Sequence, residues 1–420
     1  IISLYSCSAL HSCNSFSNIT MGISFHIQHC CKNQNSPEGY FMLTSSNESL
    51  QLNQLKLSGR VVGYVIWDLR FKMNGKNSWI SHYNLPINGT YYANVEIRYL
   101  QFNSSDYWKS DVYSIGNEIL NDYQFHVLFD SNISTPTNEC QGFDFTKEGH
   151  WRASSNHKLP SKWLLDESFE SITEFQINVT VDFVNKLTYE PRACILKNIT
   201  QVQSCEEKKR SNSMCFVGDS QMRHLGKMVN AIFINSSEVS LAPRKRETDR
   251  SSDHEYYIVD QWAEMEFNDD IIKKLQQCDS IFLNFGQWHV SGAIVVDKNR
   301  DPFTSFEYAE LVNRTLIAYI TQYPKAKVYF LGTMPFGQNA RLYSFPPSDF
   351  RNDVVLREIN TAGMEVCHHI AHHSINRVNC LNLFEMTNVV RDLSYDLSHF
   401  KAPVGFQMAL AVMTMMCNDK

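Results

Sequence analysis

Hydrophobic and polar residues alternate with a period of two between residues 60 and 130. One face of the segment YYANVEIRYL carries Ala93, Val95, Ile97 and Tyr99. The runs GRVVGYVIWDLRF and YQFHVLFD are similar, and turn sequences such as NGK and INGT lie between such runs. Short strands separated by turns predict a β-sandwich of the immunoglobulin or filamin kind over residues 56–135. Residues 1–55 are rich in Ser, Asn and Cys, and their pattern predicts no element.

After residue 140 the pattern changes, and apolar strand-like runs alternate with segments of helical periodicity. The predicted strands are SMCFVG, EYYIVDQWA, SIFLNFG, AKVYFLGTM and VNCLNLFEM. The predicted helices are SQMRHLGKMVNAIF, DDIIKKLQQ, SFEYAELVNRTLIAYITQY, DVVLREINTAGMEVCHHIAHH and VGFQMALAVMTMM. This alternation predicts an α/β domain over residues 140–420, with a parallel sheet of about five strands and helices on both faces. Functional residues of such sheets gather at the carboxyl ends of the strands.

The composition indicates the cellular compartment of the protein more than the reaction that it catalyses. The net charge of −6 gives no sign of a nucleic-acid partner. The 12 cysteines contain no CxxC pair, which argues against a zinc ribbon or a thioredoxin-like motif. Sequons for N-glycosylation occur at Asn18, Asn47, Asn88, Asn103, Asn132, Asn178, Asn198, Asn235 and Asn313. Together, the sequons and the cysteines predict a disulfide-bonded glycoprotein of the secretory pathway, extracellular or in the Golgi lumen.

The longest late apolar stretch, PVGFQMALAVMTMMC, does not predict a membrane span. It has about 15 residues, whereas a spanning helix needs about 20. We therefore expect no membrane span in the chain as given.

Three short motifs fall at predicted strand ends. Ser220 lies where the strand SMCFVG meets a helix. Its hydroxyl is therefore exposed beside the unpaired N–H groups of the helix N-terminus, which could stabilise an oxyanion. Asp396 and His399 are three residues apart after the fifth strand and could supply an orienting acid and a base. Asn284 and Gly286 end the third strand and could stabilise an oxyanion. Each motif alone is compatible with an ordinary turn or helix cap, but their shared position favours a catalytic site.

These residues resemble a known family. Gly218-Asp219-Ser220 with Arg223, Asn284-x-Gly286-x-Trp288 and Asp396-x-x-His399 are similar to motifs of the PC-esterase branch of the SGNH/GDSL superfamily. This branch includes the trichome-birefringence-like proteins, the sialate O-acetyltransferase and the neurexophilin-and-PC-esterase (NXPE) family. The resemblance covers roughly residues 140–420, and a preceding β-sandwich is similar to the NXPE arrangement.

The resemblance implies a Ser-His-Asp triad that acts on acyl esters, usually acetyl groups on sugars. Ser220 would be the nucleophile, His399 the general base and then acid, and Asp396 the orienting acid. Asn284, together with the backbone N–H of Ser220 and that of Gly286, would form the oxyanion hole. Arg223, Trp288 and His289 would contact the substrate. A separate glycine block after the second strand, present in many SGNH hydrolases, has no equivalent in YYIVDQWAEM.

Two other segments could suggest functions outside the proposed catalytic site. The segment CHHIAHH places His368/His372 and His369/His373 at zinc-compatible spacing, but no HExxH glutamate accompanies them, and we expect a solvated helix end without a functional metal. The basic segment APRKRETDR favours a solvated loop over a glycan contact or a processing site.

His224 and His289 lie near the proposed site in sequence. Either could contact substrate or replace His399 as base, although neither has an acid at suitable spacing.

The sequence thus predicts an enzyme that moves an acyl group to or from a glycan or glycoconjugate hydroxyl. It needs no cofactor, apart from an acetyl donor as co-substrate if it is a transferase. An alternative is a non-catalytic secreted or cell-surface module on an esterase scaffold. A lipid or peptide hydrolase is a third hypothesis, although the G-x-S-x-G elbow of α/β-hydrolases is absent.

Overall fold

The computed structural model describes part of the chain, which forms two compact units. The units comprise residues 1–135 with 150–166, and residues 136–149 with 167–420. The described residues are 5–6, 13–21, 23–32, 37–46, 55–99, 118–127, 136–140, 145–146, 148–153, 176–178, 187–208, 213–233, 238–240, 256–260, 273, 275–291, 300–336, 350–374, 377–394, 398–400 and 402–418.

The N-terminal unit is built from strands that form two sheets. Its strands are β1 (Tyr5–Ser6), β2 (Cys13–Thr20), β3 (Ile23–Cys31), β4 (Glu38–Ser45), β5 (Lys56–Val62), β6 (Val65–Leu69), β7 (Lys72–Met73), β8 (Ser78–Asn84), β9 (Gly89–Tyr99), β10 (Glu118–Val127) and β11 (Gly149–Ala153). One sheet has the order β2-β3-β4-β8-β7, and the strands that this unit contributes to the other follow the order β1-β10-β9-β5-β6-β11. Strands from the previously unassigned N-terminal segment therefore belong to this unit.

A single hydrophobic core joins the two sheets of the N-terminal unit. It includes Phe25 and Phe41 from the first sheet and Tyr91 and Phe125 from the second. On β9, the predicted inward face is confirmed, because Ala93, Val95, Ile97 and Tyr99 are all buried. Arg98 breaks the alternation: it is also buried, and its Nη2 lies 2.9 Å from Glu96 Oε1. A buried guanidinium requires such a partner because isolated charges are costly to desolvate.

The C-terminal unit alternates strands and helices, as the sequence predicts. Its strands are β12 (Gln176–Asn178), β13 (Leu187–Pro191), β14 (Met214–Gly218), β15 (Glu238–Ser240), β16 (Tyr256–Asp260), β17 (Ser280–Asn284), β18 (Lys327–Leu331) and β19 (Val378–Leu381). Its helices are α1 (Ile199–Lys208), α2 (Ser220–Phe233), α3 (Ser305–Gln322), α4 (Asp353–His373), α5 (Leu383–Thr387) and α6 (Ala402–Asn418), with 3₁₀ turns at Gln287–Val290 and Asn388–Leu393.

The central sheet is parallel and has the strand order β16-β14-β17-β18-β19. Three aromatic residues at matching register, Phe216, Phe282 and Tyr329, stack across neighbouring strands with centroids 4.8 and 4.7 Å apart. From β14 the chain first adds β16 on one side and then β17 on the other. The strand order therefore reverses between β14 and β17, and in open α/β sheets ligands bind in the crevice at this point.

Two helices begin at residues whose side chains cap the helix N-terminus. Thr304 and Glu307 form a capping box at α3: Glu307 N donates to Thr304 Oγ1 at 3.2 Å, and Thr304 N donates to Glu307 Oε2 at 2.8 Å. The predicted strand VNCLNLFEM ends early, at Leu381, because Asn382 caps α5 by accepting from Glu385 N at 3.3 Å. Most of the predicted helix DDIIKKLQQ lies outside the described residues.

The cysteines are paired, as expected. The disulfides among the described residues are Cys13–Cys30, Cys140–Cys194, Cys205–Cys417, Cys215–Cys278 and Cys367–Cys380, and no described cysteine is free. Such pairing is typical of a protein that is secreted or folds in an oxidising compartment. None of the described helices is both long and apolar enough to span a membrane.

Candidate active site

Ser220 lies at the carboxyl end of β14, where the strand passes directly into α2. Asp219 caps this helix, because its Oδ1 accepts from Gln221 N at 2.9 Å. Ser220 is half-buried, and neither its Oγ nor its N–H forms a hydrogen bond with any described residue. An open hydroxyl beside an open N–H at the positive end of a helix is suited to nucleophilic attack on a carbonyl.

Gly218 allows the sharp turn of the backbone from β14 into α2. Its φ of 155° lies in a region that side chains rarely adopt. A Cβ there would come within 2.0 Å of Asn284 O and 2.7 Å of Met222 Cγ. Since the first of these atoms belongs to the backbone of β17, a side chain would push the two strand ends apart.

We expect Gly218→Ala to destabilise the fold by about 1–3 kcal/mol, through strain and overpacking, and to displace Ser220. The matched control is Gly405→Ala in α6, where the new Cβ meets the flexible end of Met228 at 3.3 Å. That variant should keep or gain stability, by up to about 1 kcal/mol. Urea unfolding of both variants measures the difference, and equal stabilities would contradict the steric explanation.

Asn284 ends β17 opposite Gly218, so the predicted proximity of these two motifs is observed. Its side-chain amide, however, is buried and donates to Leu331 O at 2.9 Å and Gly332 O at 2.8 Å. Both amide hydrogens are therefore in use. An oxyanion role for Asn284, which stays a prediction, would require one of these bonds to break.

Gly286 provides a donor of a different kind. Its φ is 137°, and a Cβ would lie 2.2 Å from Thr333 Oγ1. Among the described residues its N–H has no hydrogen-bond partner. In the described part of this sheet edge, the backbone N–H groups of Ser220 and Gly286 are thus open, whereas the Asn284 side chain is engaged.

His399 is held against α2 by the residues around it. Ser394 and Phe400 form a β-bridge at the base of its loop. Gln221 Nε2 donates to Ser398 O, and Ser398 Oγ donates to Gln287 Oε1 at 3.1 Å. Gln221 and Gln287 thus tie the His399 segment to the start of α2 and to the turn after β17. Sequence reasoning missed both glutamines, although each is adjacent to a motif residue.

The ring of His399 stacks on the ring of His224, with centroids 4.0 Å apart and an interplanar angle of 18°. His224 lies one helical turn after Ser220, so the stack brings His399 to the helix that begins at Ser220. Burial lowers the pKa of His224 well below its ordinary value, with smaller contributions from His399, Arg223 and Lys227. Asp396 lies outside the described residues. No hydrogen bond joins Ser220 to His399 in this structure.

The three residues expected to contact substrate have different surroundings. Arg223 is half-buried on α2, next to His224. Trp288 is half-buried, and the Arg351 guanidinium lies 5.3 Å from its ring centroid. His289 is 2% exposed and is enclosed by aromatic rings, including that of Phe303 at 4.8 Å. A ring so enclosed offers little surface to a substrate in this conformation, and the substrate contact of His289 stays a prediction.

The histidines at the end of α4 lie close together. The rings of His369 and His373 are 4.8 Å apart, and those of His372 and His373 are 5.0 Å apart. Within the described ranges, no group of three or more His, Cys, Asp or Glu residues could hold a metal ion.

No family model matches the chain, and no curated protein matches it either. Solved structures with a similar backbone include a lipase/acylhydrolase from Enterococcus faecalis, with 13% identity, 48% of this chain and 93% of that chain covered, and a TM-score of 0.29. A carbohydrate acetylesterase from Sinorhizobium meliloti has 11% identity, coverage of 48% and 96%, and a TM-score of 0.28.

A carbohydrate esterase family 2 enzyme with a carbohydrate-binding domain, from Corynascus thermopiles (Myceliophthora fergusii), has 8% identity, coverage of 97% and 98%, and a TM-score of 0.26. Similarities at this level carry no argument about activity. The function of this chain therefore has to be inferred from its own residues.

Proposed function

We propose that this protein is an SGNH-type serine enzyme that hydrolyses or transfers acyl esters, acetyl above all, on glycan hydroxyls. The observation that carries the proposal is the position of Ser220. It stands at the strand-order reversal with an open Oγ and N–H, and the His399 segment is bound to its helix. Its motifs also resemble the PC-esterase branch, with residues 140–420 as the catalytic domain and residues 56–135 as a β-sandwich module similar to that of the NXPE family.

The proposed reaction starts with attack of Ser220 Oγ on the ester carbonyl while His399 takes its proton. The N–H groups of Ser220 and Gly286 are suited to stabilise the oxyanion that forms. The intermediate then expels the alcohol, which receives the proton from His399, and the acyl group stays on Ser220. Water or a sugar hydroxyl releases it in a second, equivalent cycle. Asp396 is the proposed orienting acid.

A glycan substrate and a secretory location are supported by separate features. Trp288 lies half-buried on the turn after β17, where its ring could stack on a sugar, and the Arg351 guanidinium lies 5.3 Å from the ring centroid. The sequon residues Asn18, Asn88, Asn198 and Asn313 are exposed, as glycosylation requires. The disulfides agree with the same compartment.

The test is direct. Purified protein is incubated with p-nitrophenyl acetate, with acetylated glycans, and with bare glycans plus an acetyl donor. We expect ester turnover, and acid-quenched digests should contain the Ser220 peptide carrying one acetyl group. Product analysis separates hydrolysis from transfer.

A second function, a binding module on an esterase scaffold, is favoured by one observation. The Asn284 amide is fully engaged with backbone carbonyls, as in a site with a purely structural role. Glycan binding without turnover of any ester or donor, and without an acetylated Ser220 peptide, would establish this alternative and overturn the enzyme.

A further inference from the structure

We infer that His224 is a positioning residue for His399: its ring face fixes the orientation in which His399 accepts the proton of Ser220. This inference rests on the proposed function, in which His399 is the general base. His224 itself does not touch the reacting atoms in this scheme. It acts through the ring that it supports.

The first step is the geometry of α2. Ser220 and His224 are four residues apart, so their side chains lie on the same face, one turn from each other. A ring stacked on His224 therefore lies beside the face that carries the nucleophile. The centroid distance of 4.0 Å and the angle of 18° describe close face-to-face contact.

The second step concerns what holds the base. The bonds from Gln221 to Ser398 and from Ser398 to Gln287 restrain the backbone next to His399. The orientation of its ring, which turns about two side-chain torsions, depends on contacts that the ring itself makes, and the stack on His224 is one of them. Contact with the flat face of His224 limits this rotation, and small misplacements of a catalytic group can cost about 10²-fold in rate.

The third step is electrostatic. Burial, together with the neighbouring His399, Arg223 and Lys227, disfavours the protonated form of His224 and lowers its pKa. When His399 carries the proton of Ser220 during the reaction, its partner is therefore an uncharged ring and not a second positive charge.

The test compares His224→Phe, which keeps a flat aromatic face, with His224→Leu, which removes it. With p-nitrophenyl acetate, we expect His224→Leu to lower kcat by about 10–100-fold with KM unchanged, and His224→Phe to stay within about threefold of the wild type. The melting temperatures of both variants are measured to exclude misfolding. Proton NMR provides a readout that is independent of turnover. The ring signals of His399 are assigned by their absence in His399→Ala. They should lose their ring-current shift in His224→Leu and keep one in His224→Phe.

The outcomes separate this inference from the proposed function. A wild type without Ser220-dependent turnover overturns the proposed function and with it the role of His224. An active wild type whose His224→Leu variant has the same kcat overturns only the positioning role. Equal losses in the Phe and Leu variants also overturn it, because a ring face would then not be what matters.

Discussion

Replacing Ser220 by alanine is expected to lower kcat for ester turnover by about 10⁵–10⁶-fold and to leave the melting temperature unchanged. The loss is large because no other described hydroxyl stands at the strand-order reversal on the N-terminus of α2. Stability should change by less than about 0.5 kcal/mol, since Ser220 is half-buried and its Oγ bonds to no described residue. The cap that Asp219 provides for Gln221 N remains.

The matched control for this substitution is Ser305→Ala. Ser305 is also a half-buried serine at the first position of a helix in the same unit, α3. Its replacement should leave both turnover and melting temperature unchanged. Wild-type turnover by the Ser220→Ala variant, with the control behaving as expected, would mean that another group is the nucleophile.

Removing the proposed base with His399→Ala should reduce kcat nearly as much as Ser220→Ala, because a neutral serine hydroxyl is a poor nucleophile without a proton acceptor. Residues that act as one unit give non-additive losses, so the Ser220→Ala/His399→Ala double variant should be no slower than either single variant. The lost ring stack with His224 should cost about 0.5–1.5 kcal/mol of stability. Initial rates and urea unfolding measure the two effects.

His372→Ala serves as the control for a histidine lost elsewhere. This residue is exposed at the end of α4, and its removal should affect neither rate nor stability. If the double variant were slower than both single variants by the product of their effects, Ser220 and His399 would act independently. The triad would then be wrong.

Much of the local structure was readable from the sequence because it depends on neighbouring residues. The period-two pattern on β9 correctly gave its buried face. The helical spacing after Ser220 gave α2, and the chain order of strands and helices gave a parallel sheet. The end of β19 was predicted wrongly, because an apolar run continues past Leu381 and hides the capping role of Asn382.

The candidate site was only partly predictable. Gly218, Ser220 and Asn284 were singled out by their motifs, and the structure brings them to one edge of the sheet. The engaged amide of Asn284 could not be foreseen, because its partners lie on β18 and just after it. The burial of His289 was equally hidden, since Phe303 and Tyr308 surround it from a different part of the chain.

The sequence by itself determined most strands and helices of the C-terminal unit, the buried face of β9, and that a serine lies two residues after a glycine at a strand end. These properties follow from periodicity and from the steric limits of single residues. Only the tertiary structure decided that β17 lies beside β14, and that His399 rests on His224. Contacts between distant segments depend on the packing of the whole sheet, and no local pattern specifies them.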